Sequence, residues 1–276
     1  MEEINKLIGF GIINIDKPSG PTSFSVTDFV RRSLDLSKAS HMGTLDPKVT
    51  GVLPITLGRA CKLSAYFMHH NKSYVGVLHT HREQDIEDLQ KVINKNFVGR
   101  IKQIPPHKSA VKRAERQREV FSFRLLEGKN KRDFLFFCEV EGGTYIRKIC
   151  SDLGEMIGGA HMAELRRTGA GIFGEEKIYT LYEFEEAIKE WKEGKEEKIR
   201  EMIVSADEAI KKVLPFVEVK KEVLGRLYTG KPLIREDLKG EIKGEVFAVF
   251  CGGDFVGVYR KVNEKGIVGR AEFVKN

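Results

Sequence analysis

Regular alternation of apolar and polar side chains marks several short segments in the first half of the chain. A period of two places successive side chains on opposite faces of a strand, and it predicts strands at residues 72–80, 120–127 and 133–140. The polar segment GKNKRD would join the last two strands as a hairpin. Helical spacing of apolar residues predicts a capped helix at residues 23–34 and a surface helix at residues 85–96.

Other segments are apolar throughout or rich in turn residues. FGIINID predicts a buried strand, and the apolar run VLPITL precedes a helical segment at residues 59–68. HMGTLDPKVTG, residues 41–51, is expected to be a loop, and a helix is expected from Tyr145 to Ile157. Strand-like segments often follow one another without a helix between them, which predicts an α+β fold.

The last third of the chain changes in character twice. Residues 181–213 are dense in Glu and Lys with sparse apolar anchors, which predicts a pair of solvated helices. After Pro215, short apolar runs are interrupted by nine glycines in 61 residues, a pattern typical of a small all-β module. We therefore expect one domain at residues 9–214 and a second at residues 215–276.

Composition and charge narrow the class of protein. With 276 residues, 41% of them hydrophobic, the chain is long enough to bury a core and is neither disordered nor fibrous. Lys and Arg number 47 against 40 Asp and Glu, so a polyanion is the first partner to consider. The four cysteines include no CxxC pair, and no segment is apolar enough for a signal peptide or a membrane span. A cytoplasmic location without membrane contact is expected.

One acidic residue stands alone in the loop at residues 41–51. Asp46 is the only Asp or Glu between positions 36 and 82, and glycines and a proline bracket it. Such a loop can hold a carboxylate away from a sheet and towards a ligand, although an Asp before Pro is more often a turn residue. The loop indicates a candidate catalytic carboxylate and leaves the turn role open.

Three further segments carry candidate chemistry. In GGTYIRKICSDLG, paired glycines precede the predicted helix and place Arg147 on its first turn, where it would either hold Asp46 in a bidentate pair or lie on the surface.

Tyr74 begins a strand, where its ring would form a wall of a base pocket or pack in the core. His79 and His81 share a strand face, but no third ligand at fixed spacing predicts a metal site.

The segment PPHKSAVKRAERQRE, residues 105–119, is strongly basic. Lys112 and Arg113 in this run are candidate contacts for phosphate groups, and a solvated basic loop is the alternative.

Five ordered segments of the chain resemble the TruB family of RNA pseudouridine synthases. They are HMGTLDPKVTGVLP, KSYV, the PPxxSAVKR run, GGTYIRKI and GAHMAELRRT, in the family's order and with comparable intervals. Lys-Val after the Asp-Pro, together with SAVKR and TYIRK, resembles the archaeal and eukaryotic dyskerin-type branch, the catalytic subunit of H/ACA ribonucleoproteins. The resemblance covers about residues 9–276.

The resemblance implies a role for each residue that matches a family motif. Asp46 would be the catalytic aspartate, Arg147 the arginine that pairs with it, and Tyr74 the tyrosine that stacks on the base. Leu165 would lie beside the target base, and His41 near the flipped nucleotide.

A second group of residues would contribute to RNA binding. Lys17 lies in the Lys-Pro box NIDKPSG, whose part in the family is mainly structural, and we group it with Lys112 and Arg113 on the RNA-binding side.

The same resemblance implies a fold, a reaction and partners. A mixed-sheet catalytic domain would carry a small all-β PUA-like domain at its C-terminus, and uridine would be isomerised without a cofactor or a metal. Expected partners are RNA, either an H/ACA guide RNA with its rRNA target or a tRNA, and the small H/ACA proteins. A stand-alone enzyme for the T-loop uridine of tRNA and a catalytically silent RNA-binding protein remain alternatives.

Overall fold

The computed structural model describes residues 2–105, 114–264 and 266–275. The strands between residues 11 and 205 form one nine-stranded sheet, and its path runs β5-β6-β7-β4-β8-β3-β1-β9, with β2 paired to β3. The β3–β8 pair is parallel and its neighbours are antiparallel, so the sheet is mixed. The strands are β1 (Gly11–Lys17), β2 (Ala39–His41), β3 (Thr50–Leu57), β4 (Lys72–Thr80), β5 (Gly99–Gln103), β6 (Arg116–Lys129), β7 (Asp133–Val140), β8 (Ala160–Ala170) and β9 (Ile203–Ser205).

Helices cover both the sheet and the connections between strands. None of those in the described part of the chain is long and apolar enough to cross a membrane. They are α1 (Glu2–Gly9), α2 (Ser23–Ser33), α3 (Ser64–Met68), α4 (Ile86–Phe97), α5 (Ile146–Ile157), α6 (Leu181–Lys192), α7 (Glu197–Met202), α8 (Ala206–Lys211) and α9 (Leu224–Leu227), with short 3₁₀ turns at Gly58–Leu63, Lys221–Val223 and Arg235–Asp237.

A second, five-stranded sheet follows near the C-terminus, in the order β10-β12-β13-β14-β11. Its strand-rich architecture confirms the predicted α+β class with a small β domain after the mixed sheet. The strands are β10 (Phe216–Glu218), β11 (Leu233–Ile234), β12 (Val246–Cys251), β13 (Asp254–Glu264) and β14 (Ile267–Val274).

Local sequence signals explain where several elements begin. Thr22 accepts a hydrogen bond from the Ser25 amide at the start of α2, which confirms the predicted cap. Asp85 accepts from two amides and caps α4, for which no cap was predicted. Strand β4 covers the predicted residues 72–80, and alternate side chains from Lys72 onward are buried. The hairpin of β6 and β7 is also confirmed.

The prediction of two solvated helices at residues 181–213 is wrong. This segment contains α6, α7, β9 and α8, and each helix buries an apolar stripe in a hydrophobic cluster. Only a few apolar residues per helix are needed for such a stripe, so a high density of Glu and Lys does not exclude burial. The loop at 41–51 is also shorter than predicted, because His41 belongs to β2 and Thr50 begins β3.

One hydrophobic cluster joins the two sheets. Phe10 and Val52 from the first part of the chain pack in it with Phe250 and Phe255 from the second sheet. The rings of Phe10 and Phe255 stack with their centroids 5.9 Å apart. The predicted boundary between residues 214 and 215 therefore divides two sheets that share a core. The division into two domains, residues 9–214 and 215–276, stays a prediction.

Candidate functional site

Asp46 and Arg147 form an ion pair between the β2–β3 loop and helix α5. Asp46 lies in the loop between β2 and β3, and Arg147 lies in the first turn of α5. The Arg147 guanidinium contacts the Asp46 carboxylate, and each side chain remains about half exposed, at 50% and 49%. The helix end therefore faces Asp46, as the pairing requires, and the carboxylate stays accessible to a ligand.

Lys17 fixes the loop that carries Asp46. It is fully buried, and its ammonium donates hydrogen bonds to the carbonyls of Pro18, Pro21 and Pro47, at 2.8, 2.8 and 2.9 Å. Burial lowers the pKa of this ammonium. Because all three donors are used on backbone carbonyls, Lys17 positions the residue after Asp46, and the structure assigns it this role instead of a contact with RNA.

Ser23 holds the other side of the same loop. Its buried hydroxyl accepts a hydrogen bond from the Leu45 amide at 2.8 Å and donates to the Leu45 carbonyl at 3.0 Å. The Val49 amide donates to the Asp46 carbonyl at 3.0 Å. The backbone on both sides of Asp46 is thus fixed by hydrogen bonds that hold the carboxylate in one place. The sequence gives no signal that distinguishes Ser23 from any other serine near a helix cap.

Tyr74 and Leu165 lie on the same face of the sheet. Tyr74 is the register partner of Arg167 and Gly76 is the partner of Leu165, and side chains two residues apart point to one face. A Cβ at Gly76 would lie 2.7 Å from the Glu164 carbonyl oxygen on β8, so only glycine allows the two strands to approach this closely. Both predicted pocket residues are therefore together, 8% and 9% exposed.

The apolar floor of the site joins all of these elements. Leu45 and Val49 from the loop, Ile146 from α5, Tyr74 from β4 and Leu165 from β8 pack in a single cluster. Asp46 lies between the first two, and Arg147 directly follows the third. The site is therefore built on four packed elements, which restricts the position of each polar group.

His41 is partly buried and ends β2, shortly before Asp46 in the chain. Its Nδ1 atom is buried and has no hydrogen-bond partner within the described ranges. Burial lowers the pKa of His41, and the charge of Arg167 lowers it further. Both effects favour the neutral imidazole.

Two cations that the sequence analysis did not single out lie under the site. Arg167 is 1% exposed, and Lys72 is buried with its ammonium 2.7 Å from the His70 carbonyl. Burial, together with the charge of Arg167, lowers the pKa of Lys72 to about 8. Strand alternation could have placed Arg167 in the site. In a strand, residues two apart share a face, and Arg167 lies two residues after Leu165.

The remaining predicted residues lie elsewhere. Lys112 and Arg113 fall in residues 106–113, outside the described residues. His79 and His81 share a face with His161, and the Nε2 atom of His81 lies 3.1 Å from Nδ1 of His161. Over residues 2–105, 114–264 and 266–275, no group of three or more His, Cys, Asp or Glu is placed to hold a metal ion.

Comparison with known proteins decides the family. Residues 31–146 match the TruB family pseudouridylate synthase N-terminal domain, and residues 147–211 match the tRNA pseudouridylate synthase B C-terminal domain. The chain belongs to the TruB family and is a pseudouridine synthase. The two matches together contain Asp46, Tyr74, Arg147 and Leu165.

Curated relatives from archaea cover most of this TruB-family chain. A probable tRNA pseudouridine synthase B from Methanopyrus kandleri is 43% identical over 253 residues, which is 90% of this chain and 74% of the relative. One with the same description from Archaeoglobus fulgidus is 46% identical over 224 residues, or 81% of this chain and 68% of the relative.

Chains in two solved complexes have the same fold as this chain. A Cbf5-Nop10-Gar1 complex contains a chain that matches with a TM-score of 0.89 and 36% identity, covering 98% of this chain and 86% of that chain. An H/ACA ribonucleoprotein bound to a substrate RNA with 2′-deoxyuridine contains a chain that matches with a TM-score of 0.87 and 34% identity, with the same coverage.

Proposed function

We propose that the chain is the catalytic subunit of an H/ACA guide-RNA ribonucleoprotein and isomerises uridine to pseudouridine in rRNA. The observation that carries the catalytic part is the Asp46–Arg147 ion pair, which opens onto the face that holds Tyr74 and Leu165. The guide-dependent part is supported by the similarity to chains in solved Cbf5 and H/ACA complexes. Its partners would then be a guide RNA, the target RNA and small proteins related to Nop10 and Gar1.

In this proposal Asp46 is the nucleophile of the reaction. Isomerisation breaks the glycosidic bond to N1, turns the uracil and rejoins the sugar to C5, and Asp46 attacks either the sugar or the base. The target nucleotide must leave its stack to reach this carboxylate. Arg147 holds this carboxylate through a two-point contact that a guanidinium can make.

The other site residues shape the pocket for the flipped base. The Tyr74 ring stacks on the uracil, and Leu165 supplies an apolar wall beside it. The neutral imidazole of His41 contacts the flipped nucleotide at the edge of the pocket. The small β domain is proposed to be PUA-like and to bind RNA, and a cytoplasmic place of action remains a prediction from the four free cysteines.

A stand-alone tRNA synthase is the second candidate, because the curated relatives carry the description tRNA pseudouridine synthase B. A catalytically silent RNA-binding protein is disfavoured by the intact pair of Asp46 and Arg147.

The two active candidates differ in what they need to make product. We expect pseudouridine at the guided uridine of an rRNA fragment only when guide RNA and proteins related to Nop10 and Gar1 are added to the chain. The readout is the position of pseudouridine in the fragment and in a tRNA transcript, with Asp46→Asn as the blank in both. Product in the T-loop of tRNA, with none in the guided fragment, would establish the stand-alone enzyme instead.

Arg147 is expected to act through Asp46. Arg147→Lys should lower the single-turnover rate at least about 100-fold, because an ammonium does not reproduce the planar two-point contact and small displacements of a reacting group are costly. Arg147→Ala combined with Asp46→Asn should be no slower than Asp46→Asn alone.

The matched control for this prediction is Arg200→Lys, because Arg200 is also a partly exposed, ion-paired arginine, with Glu196 as its partner. We expect that variant to retain the wild-type rate. A near-normal rate for Arg147→Lys would show that Arg147 is only a surface residue.

A further inference from the structure

Arg167 carries a buried guanidinium directly under the pocket. Its Nε donates a hydrogen bond to the Val52 carbonyl at 2.7 Å, and its Nη2 donates to the Gly43 carbonyl at 3.1 Å. The Tyr74 side chain lies next to this guanidinium, because Tyr74 is the direct partner of Arg167 across β4 and β8, and the two groups interact electrostatically. Within the described part of the chain, Arg167 forms no ion pair with an Asp or Glu.

A buried charge without a counter-charge is costly, and the neighbours of Arg167 do not supply one. The nearby Lys72 and His41 side chains are bases, and the Arg167 charge lowers the pKa of both. Backbone carbonyls provide only partial charges. Among the described groups that interact with Arg167, Tyr74 alone acquires a negative charge when it ionises.

The strand register holds this pair together. Tyr74 and Arg167 are direct partners across β4 and β8, at a bulge that skips Thr168. Bulges redirect side chains next to active sites. On the other side of Arg167, strand β3 approaches so closely that a Cβ at Gly51 would lie 2.2 Å from the Arg167 carbonyl oxygen, and Gly51 has a φ of +100°. The guanidinium is therefore confined between two strands and the Tyr74 ring.

We propose that Arg167 is a positioning residue that orients the Tyr74 hydroxyl and stabilises its phenolate, so that Tyr74 removes the C5 proton of the rotated uracil. This inference rests on the proposed place of Tyr74 in the uracil pocket. It adds to the reaction a buried residue for which the sequence analysis proposed no role in the site.

The charges around Tyr74 support this assignment. Burial raises the pKa of Tyr74, while the charge of Arg167 lowers it, and Cys138 on β7 raises it. Cys138 and Arg167 are the register partners of Tyr74 on its two sides, so one neighbour opposes ionisation and the other favours it. If the Arg167 charge were removed, burial and Cys138 would raise the pKa of Tyr74 further, because no group would then lower it.

The proton transfer is balanced within the isomerisation. Once C1′ of the sugar is bonded to C5, that carbon still carries its hydrogen. The phenolate oxygen takes this proton, and the electron pair of the C–H bond forms the C5–C6 double bond. N1, which lost its bond to the sugar, gains one proton, and the phenol returns its proton to solvent. Nothing is oxidised or reduced.

The experiment compares single-turnover rates from pH 6 to 10, on whichever RNA the wild-type protein converts. Tyr74→Phe should keep RNA affinity and lose about 10²- to 10⁴-fold in rate, the usual contribution of a general base. Arg167→Gln removes the charge but keeps a donor for one carbonyl. It should lower the rate about 100-fold near neutral pH and move the rising limb of the pH–rate profile to higher pH, with RNA affinity little changed.

Two further variants separate positioning from plain stability. Arg167→Lys keeps the charge but cannot reach both carbonyls and the hydroxyl, so its rate should fall while its pH limb stays close to that of the wild type. Arg166→Lys changes the neighbouring arginine, which pairs with Asp16 and Glu175, and controls for weakened strand packing. In a Tyr74→Phe background, Arg167→Gln and Arg167→Lys should cause no further loss.

An unshifted pH profile in Arg167→Gln, or a further loss of rate in the Tyr74→Phe background, would overturn the proposal. If Arg167→Gln does not fold, Arg167→Lys decides the question through the double variant alone. A wild-type rate for Tyr74→Phe would refute the base role and leave Asp46 and the pseudouridine synthase activity untouched. The choice of RNA substrate does not affect these ratios, so failure of the guide-dependent assignment is recognised separately.

Discussion

Replacing Asp46 with asparagine is expected to lower pseudouridine formation at least about 10⁴-fold, or about 5.4 kcal/mol of activation free energy. The amide has the shape of the carboxylate but does not provide a nucleophilic oxyanion. RNA affinity should change little, because the Asp46 side chain is one contact in a large interface and the loop backbone is fixed by Lys17 and Ser23. The measurement is single-turnover product formation together with a binding isotherm for the same RNA.

A matched control exists elsewhere on the surface. Asp35 is exposed and has a φ of 52°, a conformation that asparagine adopts readily, so Asp35→Asn tests the same chemical change where no function is proposed. We expect full activity from that variant. Product above about one per cent of the wild-type level in Asp46→Asn would contradict a nucleophilic role.

The pairing of Asp46 with Arg147 was foreseeable because both residues are marked by local sequence signals. A lone acid among turn residues and an arginine just after paired glycines both predict ends of elements, where functional side chains concentrate. The family motifs then placed the two residues in one site. The structure adds that α5 directs Arg147 to the loop through the packing of Ile146 in the cluster that also contains Leu45 and Val49.

The residues under the site were not foreseeable in the same way. Ser23 and Arg167 act through hydrogen bonds to backbone groups 22 to 124 residues away, and such distant partners leave no local pattern. The Lys-Pro box did mark Lys17 as structural, but not its hydrogen bond to the Pro47 carbonyl, 30 residues away. The charge of Lys17 and Arg167 also suggested the wrong location, since Lys and Arg side chains are usually exposed on the surface. Two of these residues, Lys17 and Arg167, are among the most deeply buried large side chains of the protein.

Secondary structure was predictable where one face is clearly buried and less so where the environment is mixed. Strand β4 alternates cleanly, and its predicted limits agree with the structure. Strand β8 was not predicted, because its buried positions include Arg167 and its register shifts twice against β4. Side-chain periodicity loses its meaning at a bulge, where one residue is added to one strand only.

Removal of residues 215–276 is expected to destabilise the whole chain. The sequence alone suggested a detachable module, but Phe10, Ile12, Met42 and Val52 pack against the second sheet in a shared cluster. Exposing four such side chains costs about 1.5–3 kcal/mol each, so the total is comparable with the entire stability of a typical domain. We expect the chain ending at Leu214 to melt far below the full chain, or to precipitate, and to lose activity for that reason.

A single substitution tests the same contact in the intact chain. Phe255 is 1% exposed and stacks near Phe10, Phe250 and Phe273, so Phe255→Ala should lower the free energy of unfolding by about 3–5 kcal/mol. Phe121→Ala makes the same chemical change at an exposed position and should stay within about 0.5 kcal/mol of the wild type. Denaturant unfolding of both variants measures the difference.

If Phe255→Ala unfolded the second sheet alone, in a separate transition that left pseudouridine formation intact, the two sheets would be independent domains. We expect instead a single unfolding transition for the whole chain. That result would show that the second sheet supports the catalytic site, because Met42, which is next to His41, packs in the cluster shared with the second sheet.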